Sequence, residues 1–309
     1  MRITSTFTKT LALAAAGLLA LTACTNASET GGSGATTSGA AASSFDPTTI
    51  AKDETLAALV PEKIRSRGTL IFGSDTSYAP AEFLGTDNQT PVGYDVDMAK
   101  AIGAVLGLEV DVQTAEFTGI LPALGSKYDL GISSFTINDE RLAAVNMVSY
   151  FQAGTAWAVK TGNPTNFSFE DICGRSIGVQ TGTVQENPDL SDRNKECLDA
   201  GKEAIDIITL KAQTDITTRL VNGSIDAMAA DSPIVGYALS QTGGQLERFG
   251  DTYDSAPQGI AVAKNDEAMA DLVQQVVAKL IEDGSYTQIL ETWGVADGAV
   301  TESQVNPAV

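Results

Sequence analysis

The stretch Leu130-Gly-Ile-Ser-Ser-Phe-Thr-Ile-Asn-Asp-Glu-Arg141 decides the fold, because an apolar run passes within a few residues into the start of a helix. Residues 130–132 are predicted to form a buried strand, and Asn138 is of a type that commonly caps a helix. Later in the chain, Ala227-Met-Ala-Ala-Asp-Ser-Pro233 again passes from an apolar run into polar residues. The two stretches predict βα units in both halves of the chain.

Strands and helices alternate along the rest of the chain. Further strands are predicted at residues 69–73, 109–113, 176–179, 205–209 and 259–263, and helices at 96–106, 119–126, 183–200, 215–222 and 266–283. Asp95 is the predicted cap of the helix at 96–106. This alternation predicts an α/β fold with largely parallel sheets. Ligands of such folds bind beyond the carboxyl ends of the strands. The loops expected to carry the chemistry are therefore those after Phe72, Ile132, Val179 and Ala230.

Two oppositely charged side chains lie in those loops, in different halves of the chain. Arg141 presents a planar fork that can hold a carboxylate through two parallel hydrogen bonds. Asp231 can accept hydrogen bonds from an ammonium group. A free amino acid carries both charges, so a cleft between the halves would suit its head group. The alternatives are an Arg141 that pairs with Asp139 or Glu140, and an Asp231 that caps a helix.

The composition excludes several classes of partner and cofactor. Without Arg2 and Lys9, 17 Lys and Arg residues stand against 39 Asp and Glu, which argues against nucleic acid or an anionic lipid surface as partner. The chain has no His, the commonest general base, and no CxxC spacing, which argues against a zinc site. We expect neither a metal nor a cofactor.

Residues 1–24 are typical of an export signal, with Arg2 and Lys9 before an apolar run that is too short to span a membrane. The run ends in Leu21-Thr-Ala-Cys24, which resembles the bacterial lipobox. This predicts that Cys24 takes a diacylglycerol and becomes the new N-terminus. The alternative is an ordinary cleavable signal with an incidental Cys.

Residues 25–50 are predicted to be a flexible tether, because the segment after Cys24 is rich in Gly, Ser, Thr and Ala and has no apolar periodicity. A lipid anchor followed by a tether predicts a domain held at the extracellular face of the cell membrane, which it touches only through its lipid. We expect this protein to be a monomer. The two remaining cysteines, Cys173 and Cys197, are predicted to form a disulfide in an oxidising compartment. The alternative is a pair of buried free thiols.

From about residue 64 to residue 293 the chain resembles the type 3 extracellular solute-binding proteins, the amino-acid receptors of ABC importers. The resemblance lies in seven segments in the family's order: residues 73–80, 92–100, 117–124, 134–141, 178–183, 230–233 and 259–262. It implies the type II periplasmic-binding-protein fold, in which two βα lobes are joined by two crossover strands. Lobe 1 would comprise residues 61–154 and 257–297, lobe 2 with the crossovers residues 155–256, and a C-terminal tail residues 298–309.

The resemblance also assigns ligand-binding roles. It places eight residues at the ligand: Asp75, Tyr78, Phe117, Ser134, Thr136, Arg141, Thr183 and Asp231. Tyr78 and Phe117 match the two aromatics that sandwich the ligand side chain, although Phe117 could instead be a core residue. Thr183 follows Gly182 at a predicted helix start, where free N–H groups would favour an anion. Asp75 matches an acidic position that can meet a polar or cationic side chain, so a polar amino acid is favoured.

Three further positions bear on the shape and polarity of the predicted pocket. Gln258 is a weaker lining candidate. Ala81 stands where the family often has Phe, and Val184 where many members have a second Thr.

The resemblance implies a binding protein that delivers an amino acid to the membrane permease of an ABC importer and performs no covalent chemistry. One alternative is an enzyme, because the fold also hosts a dehydratase of cyclic amino-acid precursors. Its general acid or base would have to be Asp75, Glu82, Glu116 or Lys127. Another is a sensory module whose closed form is read by a receptor.

Overall fold

A computed structural model of the chain describes residues 45–308, so the predicted signal, Cys24 and most of the predicted tether lie outside the described residues. The α-helices are α1 Glu54–Ala57, α2 Glu62–Arg67, α3 Tyr94–Leu106, α4 Phe117–Ile120, α5 Asp139–Ala144, α6 Ser191–Asp199, α7 Gln213–Asn222, α8 Ser232–Gln241, α9 Glu267–Glu282 and α10 Ser285–Thr292. The strands are β1 Thr69–Ser74, β2 Ser77–Tyr78, β3 Glu82–Leu84, β4 Pro91–Val92, β5 Glu109–Thr114, β6 Leu130–Thr136, β7 Val145–Lys160, β8 Ser176–Gln180, β9 Asp206–Leu210, β10 Ala227–Asp231 and β11 Leu246–Ala263.

Eight strands form one sheet in the order β5-β1-β6-β11-β7-β10-β8-β9, and β2, β3 and β4 form a small second sheet. The β5-β1-β6 group and the β10-β8-β9 group are parallel, as the alternating pattern predicts. The two central strands pair antiparallel with each other and with their outer neighbours. The large sheet is therefore mixed rather than largely parallel, because its two central strands run in opposite directions between the lobes.

The strands β7 and β11 connect the two lobes. They contain 16 and 18 residues and pair with each other along most of their length. On the outer sides, β11 pairs with β6 of lobe 1 and β7 pairs with β10 of lobe 2. Their register shifts between Phe249 and Tyr253 and again between Tyr253 and Ala256. Asp254, in this interval, has a left-handed φ of 49°. The ladder is thus interrupted where the chain passes from lobe to lobe, which is where a two-lobed protein needs a hinge.

The buried apolar residues of the described chain form three clusters, of which the largest includes residues of both lobes. In lobe 1, α3 packs fully buried residues such as Met98 and Ile102 against the sheet, and α9 adds Val273 and Val276. In lobe 2, Trp157 packs with a smaller aromatic and aliphatic group that includes both half-cystines. The predicted disulfide is present between Cys173 and Cys197, with their Cα atoms 5.6 Å apart.

The helix predicted at 96–106 begins earlier than expected. Its first residue is Tyr94 and its N-cap is Gly93, whose φ is 130°. A Cβ on Gly93 would lie 2.1 Å from the carbonyl oxygen of Ala81, so no other residue fits there. The prediction that Asp95 caps this helix is therefore wrong: Asp95 is a helical residue with a fully buried carboxylate.

Two other predicted helices are shorter than expected. The segment at 119–126 is a single turn, α4, followed by a 3-10 turn at Leu121–Ala123. The segment at 183–200 divides into a π-helical stretch at Gln185–Leu190 and then α6, because Asn187 leaves helical geometry before Pro188.

Both ends of the described chain pack on lobe 1. Phe45 and Ile50, at the end of the predicted tether, contact the lobe 1 core, and Pro47 is buried. Near the C-terminus, the carbonyl of Gln304 accepts from the N–H of Ser149 at 2.9 Å. Of the helices between residues 45 and 308, none is long and apolar enough to cross a bilayer.

Candidate functional site

A small cavity lies between the two lobes, where the carboxyl ends of strands from both sides meet. Its walls are Tyr78, Phe117, Ser134, Thr136 and Arg141 from lobe 1, and Gln180, Thr183, Val184, Gln185 and Asp231 from lobe 2. Seven of the eight residues that the resemblance assigns to a ligand therefore line one cavity. The eighth, Asp75, lies behind the wall.

Arg141 reaches the cavity from α5, which begins as predicted with Asn138 as its cap: Asn138 Oδ1 accepts from the N–H of Arg141 at 2.9 Å. Its guanidinium donates from Nη1 to the carbonyl of Thr136 at 2.7 Å and from Nη2 to the carbonyl of Gly182, in lobe 2, at 3.1 Å. Ion pairs among residues 45–308 do not include Arg141, so it pairs with neither Asp139 nor Glu140. Three of its five N–H groups remain for a carboxylate.

Asp231 is the acidic counterpart in lobe 2. It stands at the N-cap position of α8, but its side chain does not cap that helix. Instead Oδ1 accepts from Nε2 of Gln185 at 2.9 Å, and Oδ2 accepts from Nε2 of Gln258 at 2.7 Å. Burial raises the pKa of Asp231 to about 6, although these amides and the charge of Arg141 act in the opposite direction. A carboxylate held ionised at this depth is well suited to a cation.

Ser134 has an unusual backbone conformation, with a left-handed φ of 48°. Its N–H donates to Oδ2 of the buried Asp95 at 2.8 Å, and Asp95 accepts on Oδ1 from the hydroxyl of Tyr150 at 2.5 Å. A non-glycine residue in this region costs about 1–3 kcal/mol and persists where the surroundings fix it. Asp95, the misassigned cap, therefore holds a residue of the cavity wall in place.

A second carboxyl group, that of Glu82, lies beside Asp95 and is fully buried. Its Oε1 accepts from the hydroxyl of Ser133 at 2.7 Å, whereas Oε2 has no partner if both acids are ionised. Burial raises the pKa of Glu82 well above its usual value, and the nearby Asp95 adds to the shift. A protonated Glu82 carries a hydrogen that it can donate to Asp95.

Tyr78 and Phe117 form the aromatic walls. The hydroxyl of Tyr78 accepts from the N–H of Asp231 at 3.2 Å, which joins the lobes. The ring of Phe117 stacks on Phe135 with centroids 4.9 Å apart, and the guanidinium of Arg141 lies 5.4 Å from its centre. Phe117 is therefore a packing residue and a wall of the cavity at once.

Thr183 and Val184 lie in a turn of lobe 2 rather than at the start of a regular helix. The N–H of Gly182, just before Thr183, donates to the carboxylate of Glu186. The hydroxyl of Thr183 donates to the carbonyl of Gln180 at 2.8 Å. The role of Thr183 in binding an anion therefore stays a prediction, and Arg141 carries the positive charge of the cavity.

Asp75 does not line the cavity. Its Oδ1 accepts from the N–H and hydroxyl of Ser77 at 3.1 and 2.7 Å, and Oδ2 accepts from the N–H of Phe117 at 3.0 Å and from Nε2 of Gln180 at 3.1 Å. Burial raises its pKa. Four donors thus occupy the acceptor positions of this carboxylate, one of them from the opposite lobe.

Sequence reasoning missed two glutamines of the wall, Gln180 and Gln185. Gln180 is the last residue of β8, so the rule that sites lie at the carboxyl ends of strands could have found it. Gln185 is buried and donates from Nε2 to both Asp231 and Thr155. These partners are distant in sequence, so no local sequence pattern predicts the contacts. Across residues 45–308, no three side chains of metal-binding type gather into a possible metal site.

The chain matches the model of a known protein family along most of its length. The family model of the bacterial extracellular solute-binding proteins, family 3, matches residues 70–296, which is well over half of the chain. The chain belongs to this family. Family membership agrees with the two-lobed α/β architecture described above.

Members of family 3 with known ligands resemble the chain along most of its length. The arginine-binding protein ArgT of Corynebacterium glutamicum is 34% identical over 250 residues, which are 81% of this chain and 82% of that protein. Further relatives are amino-acid-binding proteins of ABC transporters.

Solved structures of the family show the same fold. An ancestral arginine-binding protein bound to arginine has a TM-score of 0.67 and 33% identity, and covers 74% of this chain and 98% of its own. An ancestral amino acid-binding protein, described as a precursor of cyclohexadienyl dehydratase, has a TM-score of 0.66 and 31% identity, and covers 76% of this chain and 99% of its own.

Proposed function

We propose that this protein captures a free amino acid, with a polar side chain favoured, outside the cell and delivers it to the membrane permease of an ABC importer. The observation that carries the proposal is the placement of Arg141 and Asp231 on opposite lobes around one small cavity. The relatives' amino-acid ligands support it.

The head group of an amino acid fits the charges of the cavity. The free N–H groups of Arg141 would take the ligand carboxylate, with the hydroxyls of Ser134 and Thr136 on the same wall. Each oxygen of Asp231 accepts one amide hydrogen, which leaves room on both for an ammonium group. The ammonium would in turn stabilise the ionised form of Asp231, which burial disfavours.

Because Arg141 and Asp231 lie on different lobes, a ligand that binds both would couple its binding to closure of the lobes. Arg141 already joins the lobes through Gly182, and Tyr78 does so through the N–H of Asp231. A ligand that engages both groups stabilises the closed form over the open form. A permease that recognises the closed form would then receive loaded protein.

A polar ligand side chain is favoured by the remaining wall. Apart from the aromatic faces of Tyr78 and Phe117 and the aliphatic Val184, this wall is made of hydroxyl and amide groups. An aliphatic side chain would leave those groups without partners, which costs more than their hydrogen bonds gain.

The lipid anchor at Cys24 belongs to the same proposal. A binding protein tethered at the extracellular face of the membrane stays close to its permease, which raises the local concentration of the docking partner. The sequence 21–24 and the composition of the segment that follows support this placement.

Catalysis by the same fold receives less support from the geometry. Of the acid or base candidates, Asp75 is held by four donors, Glu82 is sealed beneath the cavity, and Glu116 pairs with Lys211 at 2.7 Å. Lys127 lies over the ring of Tyr128, 4.8 Å from its centre. None of the four contributes to the cavity wall.

The test is calorimetry of the purified protein against the twenty amino acids, followed by Arg141→Ala. Loss of one partner of a desolvated charge pair costs about 2–5 kcal/mol, so affinity for the best ligand should fall at least about thirtyfold. Tyr78→Leu should lose less, because an aromatic contact contributes about 0.5–1.5 kcal/mol beyond its area. Arg219→Ala, on an exposed face of α7, is the matched control. Unchanged affinity in Arg141→Ala would refute the proposal, and turnover of a ligand seen by mass spectrometry would favour an enzyme.

A further inference from the structure

The amide of Gln180 is fixed in orientation by two acceptors. Its Nε2 donates to Oδ2 of Asp75 at 3.1 Å and to the carbonyl oxygen of Lys211 at 2.9 Å. A carboxylate and a carbonyl can only accept, so both partners require the NH₂ group of the amide, and a flipped amide would place oxygen against oxygen. Both hydrogens of Gln180 are therefore used within the protein.

What Gln180 offers to the cavity is its carbonyl oxygen. The residue is only 2% exposed, yet it lines the cavity. No group among residues 45–308 donates to its Oε1, and this oxygen is not sealed inside the protein, unlike the Oε1 atoms of Gln213 and Gln258. Since Gln180 lines the cavity and both of its amide hydrogens are used, Oε1 is the polar atom of its side chain that is left for the cavity. It is an acceptor without a partner, and it needs a donor from whatever fills that space.

We propose that Gln180 reads the side chain of the ligand and selects side chains that donate hydrogen bonds, and that Asp75 acts through Gln180 as a positioning residue. The inference rests on the proposed function, since it concerns the same cavity. Amide, guanidinium and ammonium side chains donate to Oε1. A carboxylate side chain would place a second acceptor against it and is rejected.

Asp75 is suited to positioning rather than to direct contact. Its four donors hold it in place, and one of them, the hydroxyl of Ser77, also accepts from the N–H of Gln213 in lobe 2 at 3.2 Å. The Asp75 carboxylate therefore sets the direction of the Gln180 amide only when the lobes are closed. Selection would occur in the closed form. A ligand side chain that does not suit Oε1 of Gln180 would prevent the hydrogen bond between Gln180 and Asp75, which joins the lobes.

The first experiment compares four ligands by calorimetry: glutamine and arginine, whose side chains donate, and glutamate and methionine, whose side chains do not. The wild type should bind the better donor ligand at least about tenfold more tightly than methionine or glutamate. In Gln180→Met, which keeps the length of the side chain but removes the acceptor, the ratio of donor ligand to methionine should fall to within about threefold. Gln241→Met, on an exposed part of α8, is the control and should leave the ratio unchanged.

The second experiment separates positioning from direct contact by a double-mutant cycle on the same ratios. Asp75→Asn offers a donor to Gln180 and lets its amide rotate, so the discrimination against glutamate should weaken by about tenfold. In the Gln180→Met background the same change should have no further effect. An equal effect of Asp75→Asn in both backgrounds would show that Asp75 contacts the ligand itself.

The two proposals fail in different ways. If the wild type binds amino acids and Gln180→Met weakens all four ligands by one common factor, Gln180 supports closure only and the inference is wrong while the proposed function stands. If the wild type binds no amino acid at all, the proposed function fails and this inference fails with it.

Discussion

Asp231→Asn should make the ligand-free protein more stable while it abolishes binding. The carboxylate of Asp231 is fully buried, and burial raises its pKa from 3.8 to about 6. A carboxyl group with a raised folded pKa contributes stability that is fully present below its unfolded pKa and is lost as the pH rises through its folded pKa. At pH 7.5 the wild type therefore carries the whole cost of an ionised Asp231, and a neutral Asn removes it.

The expected gain in the free energy of unfolding follows from how far burial raises the pKa of Asp231. A rise of about two pKa units corresponds to about 3 kcal/mol, at about 1.4 kcal/mol for each unit. Asn has one acceptor oxygen where Asp231 serves both Gln185 and Gln258, so about 1 kcal/mol should be lost with one amide bond. The free energy of unfolding at pH 7.5 should thus rise by about 2 kcal/mol, and the melting temperature by about 4–8 °C.

Urea unfolding of ligand-free protein at pH 7.5 and at pH 4 measures this difference. The gain of Asp231→Asn should be present at pH 7.5 and small at pH 4, where Asp231 is mostly protonated. Asp251→Asn, at an exposed position of the same lobe, should show neither effect. In the wild type, affinity for an amino acid should fall as the pH drops below about 6. A variant that is no more stable than the wild type, or equally stabilised at both pH values, would refute the assignment of Asp231 as a costly buried anion.

Three further predictions concern other parts of the chain. Replacing Cys173 and Cys197 with Ser should lower the free energy of unfolding by about 3.5 kcal/mol in urea, since their bond closes a loop with a sequence separation of 24; an unchanged midpoint would contradict it. Cys24→Ala should abolish labelling by a radioactive fatty acid and release the protein to the medium, and a variant that still labels would rule out the lipid anchor. Glu82→Gln should keep ligand affinity, because the amide replaces the donor that protonated Glu82 offers to Asp95. Glu82→Ala should lose affinity in the same calorimetric assay, and equal affinities in the two variants would show that Ser134 needs no such support.

Local sequence sufficed for the βα units and for most of the cavity wall. Asn138 caps α5 as predicted, and that cap fixes where Arg141 leaves the helix. Asp231 could be placed because it directly follows an apolar run, and the carboxyl ends of strands gather at one edge of a sheet. The interaction that places Arg141 joins residues three apart, and the position of Asp231 follows from the apolar run that it ends.

The wrong and missing assignments depend on residues distant in sequence. Asp95 is of a residue type that commonly caps helices, but the start of α3 is set by the close approach of Gly93 to Ala81. The carboxylate is then free to hold Ser134, 39 residues away. The sequence predicts that Asp75 contacts the ligand, but in the fold its carboxylate accepts a hydrogen bond from Gln180, 105 residues away. Contacts of this kind are made by the tertiary fold, and a single sequence contains no local trace of them.

The bonds between the lobes indicate how closure could depend on ligand. Lys211 and Glu116 form an ion pair across the cleft mouth, but both side chains are more than half exposed, so the pair contributes about 0–1 kcal/mol. The inner bonds, from Arg141 to Gly182 and from Gln180 to Asp75, replace bonds to water that the open form would make, and each has one charged member and contributes about 1.5–3 kcal/mol. Against these gains stands the desolvation of Arg141 and Asp231, which burial disfavours as charged groups. A zwitterion that pairs with both offsets that cost in the closed form alone, and this differential affinity is what shifts the population toward closure.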